Sequence, residues 1–302
     1  MKRRPRPPRS ESIEIHTESG VALRATVHDA TGRARGTAIL AHAEFSARGT
    51  FDGLARRFSA RGWRTVAFDF RGHGESGGRK AGTGTGTGTG TGGDVTYDDL
   101  VQHDLPAVAS SARARWSGPL IVVGHALGGH VALAACGTHK VDADGIALIA
   151  SNVWIPQFEP VTLRWRAKQA AVEFISAVVR ARGHFPARIL GLGSDDESAA
   201  LMRAAVRAAR EGRWRSEDGS VDYERALGNV HIPVLAVASA RDPIRCAPDC
   251  AERMLARCAG PRDFRVIARD DRDGPAPSHM GLLTGAHSSC VWDAVANWME
   301  SI

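Results

Sequence analysis

Short apolar runs rich in β-branched residues alternate with stretches of helical periodicity along most of this chain. Runs at 12–16, 23–28, 37–43, 64–70, 120–125, 145–150, 234–240 and 264–268 predict strands, and stretches at 50–60, 96–115, 127–136, 247–257 and 286–300 predict helices. Two leading strands followed by strand–helix alternation imply an α/β fold, a mostly parallel eight-stranded sheet with helices on both faces. Ligands on such sheets bind beyond the carboxyl ends of the strands, so chemistry is sought in those loops.

Two segments break the alternation. Between 152 and 228 the pattern is helical with no convincing strand; within it Val161, Trp165, Val172, Ile175 and Val179 form one apolar stripe, and Arg164, Arg166, Lys168, Arg180 and Arg182 lie mostly off it. Because this amphipathic segment falls between two sheet strands, it reads as a helical cap over the site, with Trp154, Trp165 and Trp214 available to roof it. The plainer alternative is a helix packed on the core, and a membrane-surface helix is the weaker one. Gly82 to Gly93 is a Gly-Thr repeat too poor in apolar residues to pack, and 79–93 reads as a flexible loop. The resulting plan is a core of 11–151 and 229–302, a cap of 152–228 and a basic leader of 1–10.

Charge narrows the function classes. The 302 residues carry a net +6, but Lys2, Arg3, Arg4, Arg6 and Arg9 crowd into the leader and leave the body nearly neutral. Nucleic-acid binding would need a basic face on the fold itself, so none is expected. The Pro-rich leader reads as disordered, and proline and polar residues follow Arg3-Arg4 where an export signal would be apolar. No apolar run is long enough to span a membrane. The five cysteines, Cys136, Cys246, Cys250, Cys258 and Cys290, lack zinc-site spacing and read as reduced thiols in a cytoplasmic protein. No metal or organic cofactor is implied, and the oligomeric state is undetermined.

The chemistry concentrates in four places. In Val122-Val123-Gly124-His125-Ala126-Leu127-Gly128-Gly129, a buried strand runs through a tight turn into a helix, with small residues two before and two after position 126. This spacing in this setting is that of a nucleophile elbow, in which residue 126 projects above the sheet. Asp242 follows the strand around Val234 to Ala238, well placed to orient an imidazole, and His279 lies between the last strand and the final helix. After the strand Ala38-Ile39-Leu40-Ala41, the segment His42-Ala43-Glu44-Phe45 offers a backbone N–H at Glu44 that could join that of Leu127 as an oxyanion hole. Taken singly, Asp242 could be a turn residue and His279 a packed loop histidine. His42, His73, His125 and His130 fall around the mouth of the site without a metal-ligand pattern, in steric or hydrogen-bonding roles. The pocket is expected to include His42, Phe45, His125, Trp154 and Trp165.

Over nearly its whole length the sequence resembles the α/β-hydrolase superfamily, in the order elbow, acid, histidine. Asp69-Phe70-Arg71-Gly72-His73-Gly74-Glu75-Ser76 is similar to the loop after the fourth strand of that superfamily. Phe185-Pro186-Ala187-Arg188-Ile189-Leu190-Gly191-Leu192-Gly193 is similar to a segment in bacterial predicted α/β-hydrolases of mostly unassigned substrate. The superfamily includes esterases, lipases, thioesterases, peptidases, epoxide hydrolases, lyases and acyltransferases, so the resemblance implies the architecture and leaves the reaction open. A serine hydrolase of a carboxylic ester or thioester with an apolar acyl part suits the Trp-bearing cap, with a small acyl substrate or apolar ligand as partner.

Two residues depart from the superfamily. Ala126 occupies the nucleophile position, and its methyl group can neither attack a carbonyl nor give a proton to His279. Ala43 and Glu44 replace the more familiar glycine and apolar residue, and Glu44 is expected to point outward, away from a developing oxyanion. Three readings of Ala126 stay open: a hydrolase silenced by replacement of its serine, a natural ligand-binding protein, or a His279/Asp242 general-base enzyme such as a lyase or isomerase.

Overall fold

The structure, a computed structural model, describes residues 10–78, 94–285 and 288–302. Its strands are β1 (Ser10–His16), β2 (Ala22–His28), β3 (Gly36–Ala41), β4 (Trp63–Phe68), β5 (Leu120–His125), β6 (Gly145–Ile149), β7 (His184–Phe185), β8 (Glu197–Ser198), β9 (Val234–Ser239) and β10 (Arg262–Ile267). Eight of them form one sheet in the order β1-β2-β4-β3-β5-β6-β9-β10. It is antiparallel from β1 through β2 to β4 and parallel from β4 onward. The eight anticipated strands are therefore all present. The basic leader and the Gly-Thr loop lie outside the described residues, except Ser10, which opens β1.

The central strands are buried on both faces, and their side chains alternate between two cores. Ala38 and Leu40 of β3 and Ile121 and Val123 of β5 face one core, while Ile39 and Ala41, Leu120 and Val122 face the other. Helices α1 (Asp52–Ala60) and α7 (Ser289–Met299) cover the first face, and α2 (Leu105–Arg115) and α3 (Leu127–Gly137) cover the second. The single helix expected at 96–115 is divided. A Thr96–Asp99 capping box starts one turn at Tyr97–Asp99, a π-helical turn follows at Leu100–Asp104, and only then does α2 run. Pro106 accounts for the break, because it has no N–H to give to the preceding turn; the Leu105 N–H reaches back to the Leu100 carbonyl instead.

Strands β3 and β4 end two residues earlier than the apolar pattern suggests, at Ala41 and Phe68. Polar side chains pull the chain off the sheet there. The Asp69 carboxylate accepts the Arg48 N–H at 2.7 Å and the Glu75 N–H at 2.9 Å, bending the segment after β4 into a turn.

Between β6 and β9 lie α4 (Thr162–Arg182) and α5 (Ala199–Glu211), then α6 (Pro248–Leu255) follows β9. This insertion is not wholly helical: β7 and β8 pair antiparallel through two residues each, too few for a period to show in sequence. Nor is Lys168 on the polar face. It is fully buried, with its ammonium 2.7 Å from Glu159, which Arg164 also meets at 2.6 Å. Burial opposes ionisation of Glu159, but hydrogen bonds from Arg164 and Lys168 outweigh it and hold the carboxyl at about 2. Arg164 continues to Asp249 at 2.6 Å, so the network ties α4 to α6.

A second buried pair fastens the insertion to the sheet. Glu197 of β8 meets His73, from the loop after β4, at 3.1 Å, and both are buried. Burial works against the imidazolium, yet the charge and hydrogen bond of Glu197 raise the pKa of His73 from 6.5 to about 9. Because this folded-state value lies above the ordinary one, the stabilisation is complete just below pH 6.5 and is lost as pH rises through about 9. Glu197→Gln should therefore cost about 3 kcal/mol near neutrality. Urea unfolding of both proteins across that range should show the difference shrinking toward the alkaline end; a constant difference would refute the charged pair.

Candidate active site

The turn from β5 into α3 is tight. Ala126 sits there with φ 44° and ψ −110°, a backbone conformation that few residues other than glycine adopt. It is held from both sides: the Ala126 N–H donates to Ile149 O at 3.0 Å, and the Ser151 hydroxyl donates to Ala126 O at 2.7 Å. Glycines make the closeness feasible. A Cβ on Gly124 would lie 2.3 Å from Gly129 N, and one on Gly128 would lie 2.1 Å from Ala41 O at the end of β3. Leu127 is the first residue of α3, so its N–H belongs to the open, electropositive end of that helix.

Asp242 and His279 converge from separate loops. The His279 Nδ1 lies 2.5 Å from Asp242 Oδ2, and Asp242 Oδ1 accepts the Arg245 N–H at 3.1 Å. Asp242 is 4 % exposed and His279 11 %, so the carboxylate is the more sheltered of the two. Beneath them His125 donates from Nε2 to the His279 carbonyl at 3.2 Å. Burial, with the nearby His279 second, pushes the pKa of His125 well below the ordinary value, so it supports the loop as a neutral ring.

One cavity of about 340 Å³ joins these pieces. It is bordered by Ala126, Leu127, His279 and Glu44 from the sheet loops and by apolar side chains of the insertion, including Trp154, Ile175, Met202 and Trp214. Of the anticipated pocket residues, Phe45 and Trp154 border it, whereas His42, His125 and Trp165 do not. His42 is fully buried: its Nδ1 donates to Ala43 O at 2.8 Å and its Nε2 accepts the Phe70 N–H at 3.0 Å. Burial brings its pKa down to about 3, and its role is to pin the loop that presents Glu44. Trp165 packs behind the cavity with Val172, Val206 and Ala209. His73 is likewise committed to its buried pair with Glu197.

Glu44, expected to point outward, is half-buried and borders the cavity. Burial raises the nearby Tyr97 hydroxyl and Cys246 thiol, and the Glu44 charge adds a smaller contribution to each. The sequence reading also missed Tyr97 and Arg245 at the cavity. Arg245 carried a signal, three residues beyond Asp242 in the same turn; Tyr97 carried none, being hidden in an apparently continuous helix. Among the described residues, no group of three or more His, Cys, Asp or Glu side chains could hold a metal. No described helix is long and apolar enough to cross a membrane.

The family model described as serine aminopeptidase, S33, matches residues 32–269. The chain belongs to this family of α/β-hydrolases. Its sheet and helices are similar to those of a monoacylglycerol lipase from Paleococcus ferrophilus, with TM-score 0.61 at 15% identity, covering 92% of this chain and 98% of that one. They are also similar to an esterase from Exiguobacterium antarcticum, with TM-score 0.63 at 14% identity, covering 96% and 100%. In sequence, 100 residues are 31% identical to a monoacylglycerol lipase of Mycolicibacterium smegmatis; that match spans 33% of this chain and 32% of that relative, about a third of its length.

The strain at position 126 is measurable. Ala126→Gly should relieve the positive φ by more than glycine's added chain entropy costs, and stabilise the fold by about 1 kcal/mol. Gly128→Ala should destabilise it by about 3 kcal/mol, since the carbonyl of Ala41 has nowhere to move. Denaturant midpoints of the two variants check both signs, and a neutral Gly128→Ala would mean that the turn is looser than described.

Proposed function

We propose that this cavity takes a carboxylic ester or thioester with an apolar acyl group, and that the chain as it stands binds such a molecule without forming an acyl-enzyme. The strained elbow and His279, both bordering one apolar cavity, with Asp242 paired to His279 behind it, carry this reading. In this reading residues 152–228 act as a cap on a core of 11–151 and 229–302. Lipase and esterase likenesses support an acyl substrate, and five unpaired cysteines support a reducing, cytoplasmic setting.

The chemistry follows from what position 126 can supply. A serine hydroxyl there would attack the acyl carbonyl, His279 would take its proton, and Asp242 would stabilise the resulting imidazolium. The N–H groups of Leu127 and Glu44 would hold the oxyanion, and water would then release the acid. The methyl group of Ala126 removes the first step and leaves the others in place. A second reading is favoured by the same intact pair: His279, oriented by Asp242 at 2.5 Å, acts as a general base on water or on a substrate carbon.

A panel of short- to medium-chain esters and thioesters separates them. Ala126→Ser should gain turnover on the order of 10²-fold over the unmodified chain and take up one active-site phosphonate, read by intact mass. If the unmodified chain already turns over substrate and His279→Ala abolishes this, the general-base reading replaces the first. If Ala126→Ser folds yet neither reacts nor labels, the acyl site is refuted.

A further inference from the structure

The two departures from a hydrolase reacting centre, Ala126 and Glu44, meet at one cavity. Ala126 removes a nucleophile. Glu44 does something different: it places a carboxylate on the residue whose N–H, with that of Leu127, would face a developing oxyanion. Like charges repel strongly where water is scarce, so Glu44 disfavours the anion that such a centre ordinarily stabilises.

Glu44 makes no hydrogen bond or ion pair among the described residues. The histidines nearest the loop do not supply a charge: burial lowers His42 and His130 to about 3, and His125 well below its ordinary value. Arg215, at the cavity edge, is engaged with Asp222 at 3.2 Å. Arg245 also borders the cavity; its backbone N–H binds Asp242, its charge acts on His125, and it forms no ion pair with Glu44 among the described residues. A carboxylate at an apolar wall, unpaired within the protein, is available to pair with a cationic group on a ligand.

The wall beside Glu44 is suited to a cation. Glu44, Tyr97 and Trp214 all border the cavity, and the two ring centroids lie 6.3 Å apart. Aromatic faces carry negative potential and attract ammonium groups. We infer that the cavity binds a ligand with a primary or quaternary ammonium group on an apolar chain, with Glu44 as counter-ion and Tyr97 and Trp214 as its aromatic wall. This rests on the cavity being the substrate site proposed above. The apolar chain lies against the insertion, and the ammonium sits at the Glu44 end.

Isothermal titration calorimetry of the full chain with hexyltrimethylammonium, hexan-1-ol and hexanoate tests the inference. Hexyltrimethylammonium should bind about 10-fold or more tightly than hexan-1-ol, and hexanoate weakest of the three. Glu44→Gln, and independently Glu44→Ala, should erase the preference while circular dichroism stays unchanged. Equal affinity for hexyltrimethylammonium before and after these substitutions would overturn it, as would failure of all three probes to bind. Tightest binding of hexanoate, weakened by Arg245→Gln, would assign the site to anions instead. Phosphonate labelling of Ala126→Ser keeps the two conclusions separate. Labelling without an ammonium preference refutes this inference alone, and an ammonium preference without labelling refutes the acyl chemistry alone.

Discussion

The close approach of the β5–α3 turn to the end of β3 governs the site. Gly128 has no room for even one carbon against the carbonyl of Ala41, so the start of α3 is fixed to the neighbouring strand by contact rather than by choice of rotamer. That contact sets where the Leu127 N–H points, where the side chain at 126 emerges, and how far the loop after β3 lies from both. The strained backbone of Ala126 is one consequence of it. Hydrogen bonds to Ile149 and from Ser151 hold the turn in that state.

Around this rigid centre, polar groups perform the assembly. The insertion is not held on the sheet by apolar contact alone. Glu197 with His73, and Glu159 with Lys168 and Arg164, set charges into the interior, where each would be expensive without its partner. Such pairs add direction that grease lacks, fixing which strand and which helix meet. The histidines divide accordingly: His42 and His125 are neutral rings that brace loops, His73 is a charged tie, and His279, alone among the described histidines, both faces the cavity and pairs with a carboxylate.

Much of this was legible in the chain. Apolar runs marked the central strands of the main sheet, because strands buried on both faces leave a continuous hydrophobic record, whereas β1, β2 and β10 showed as mixed runs. The elbow and Asp242 could be read because each stands just past such a run, and His279 because it lies between the last strand and the final helix. Side-chain direction was the weak point. Lys168 looked polar by its type and is buried through its ion pair with Glu159; Glu44 was expected to point outward and borders the cavity. His42 looked like a pocket residue from its place after β3, yet both ring nitrogens are already occupied by main chain. Those outcomes depend on which groups meet across the fold, and one-dimensional spacing does not record that.

The strain at Ala126 also bears on what one base change could do. Alanine and serine codons of the GCN and TCN type differ at a single base, and the backbone at this turn, with φ 44° and ψ −110°, would lift a hydroxyl from the same place as the methyl group. The costly part of such a turn is its backbone, which is already built and does not depend on which of the two side chains it carries.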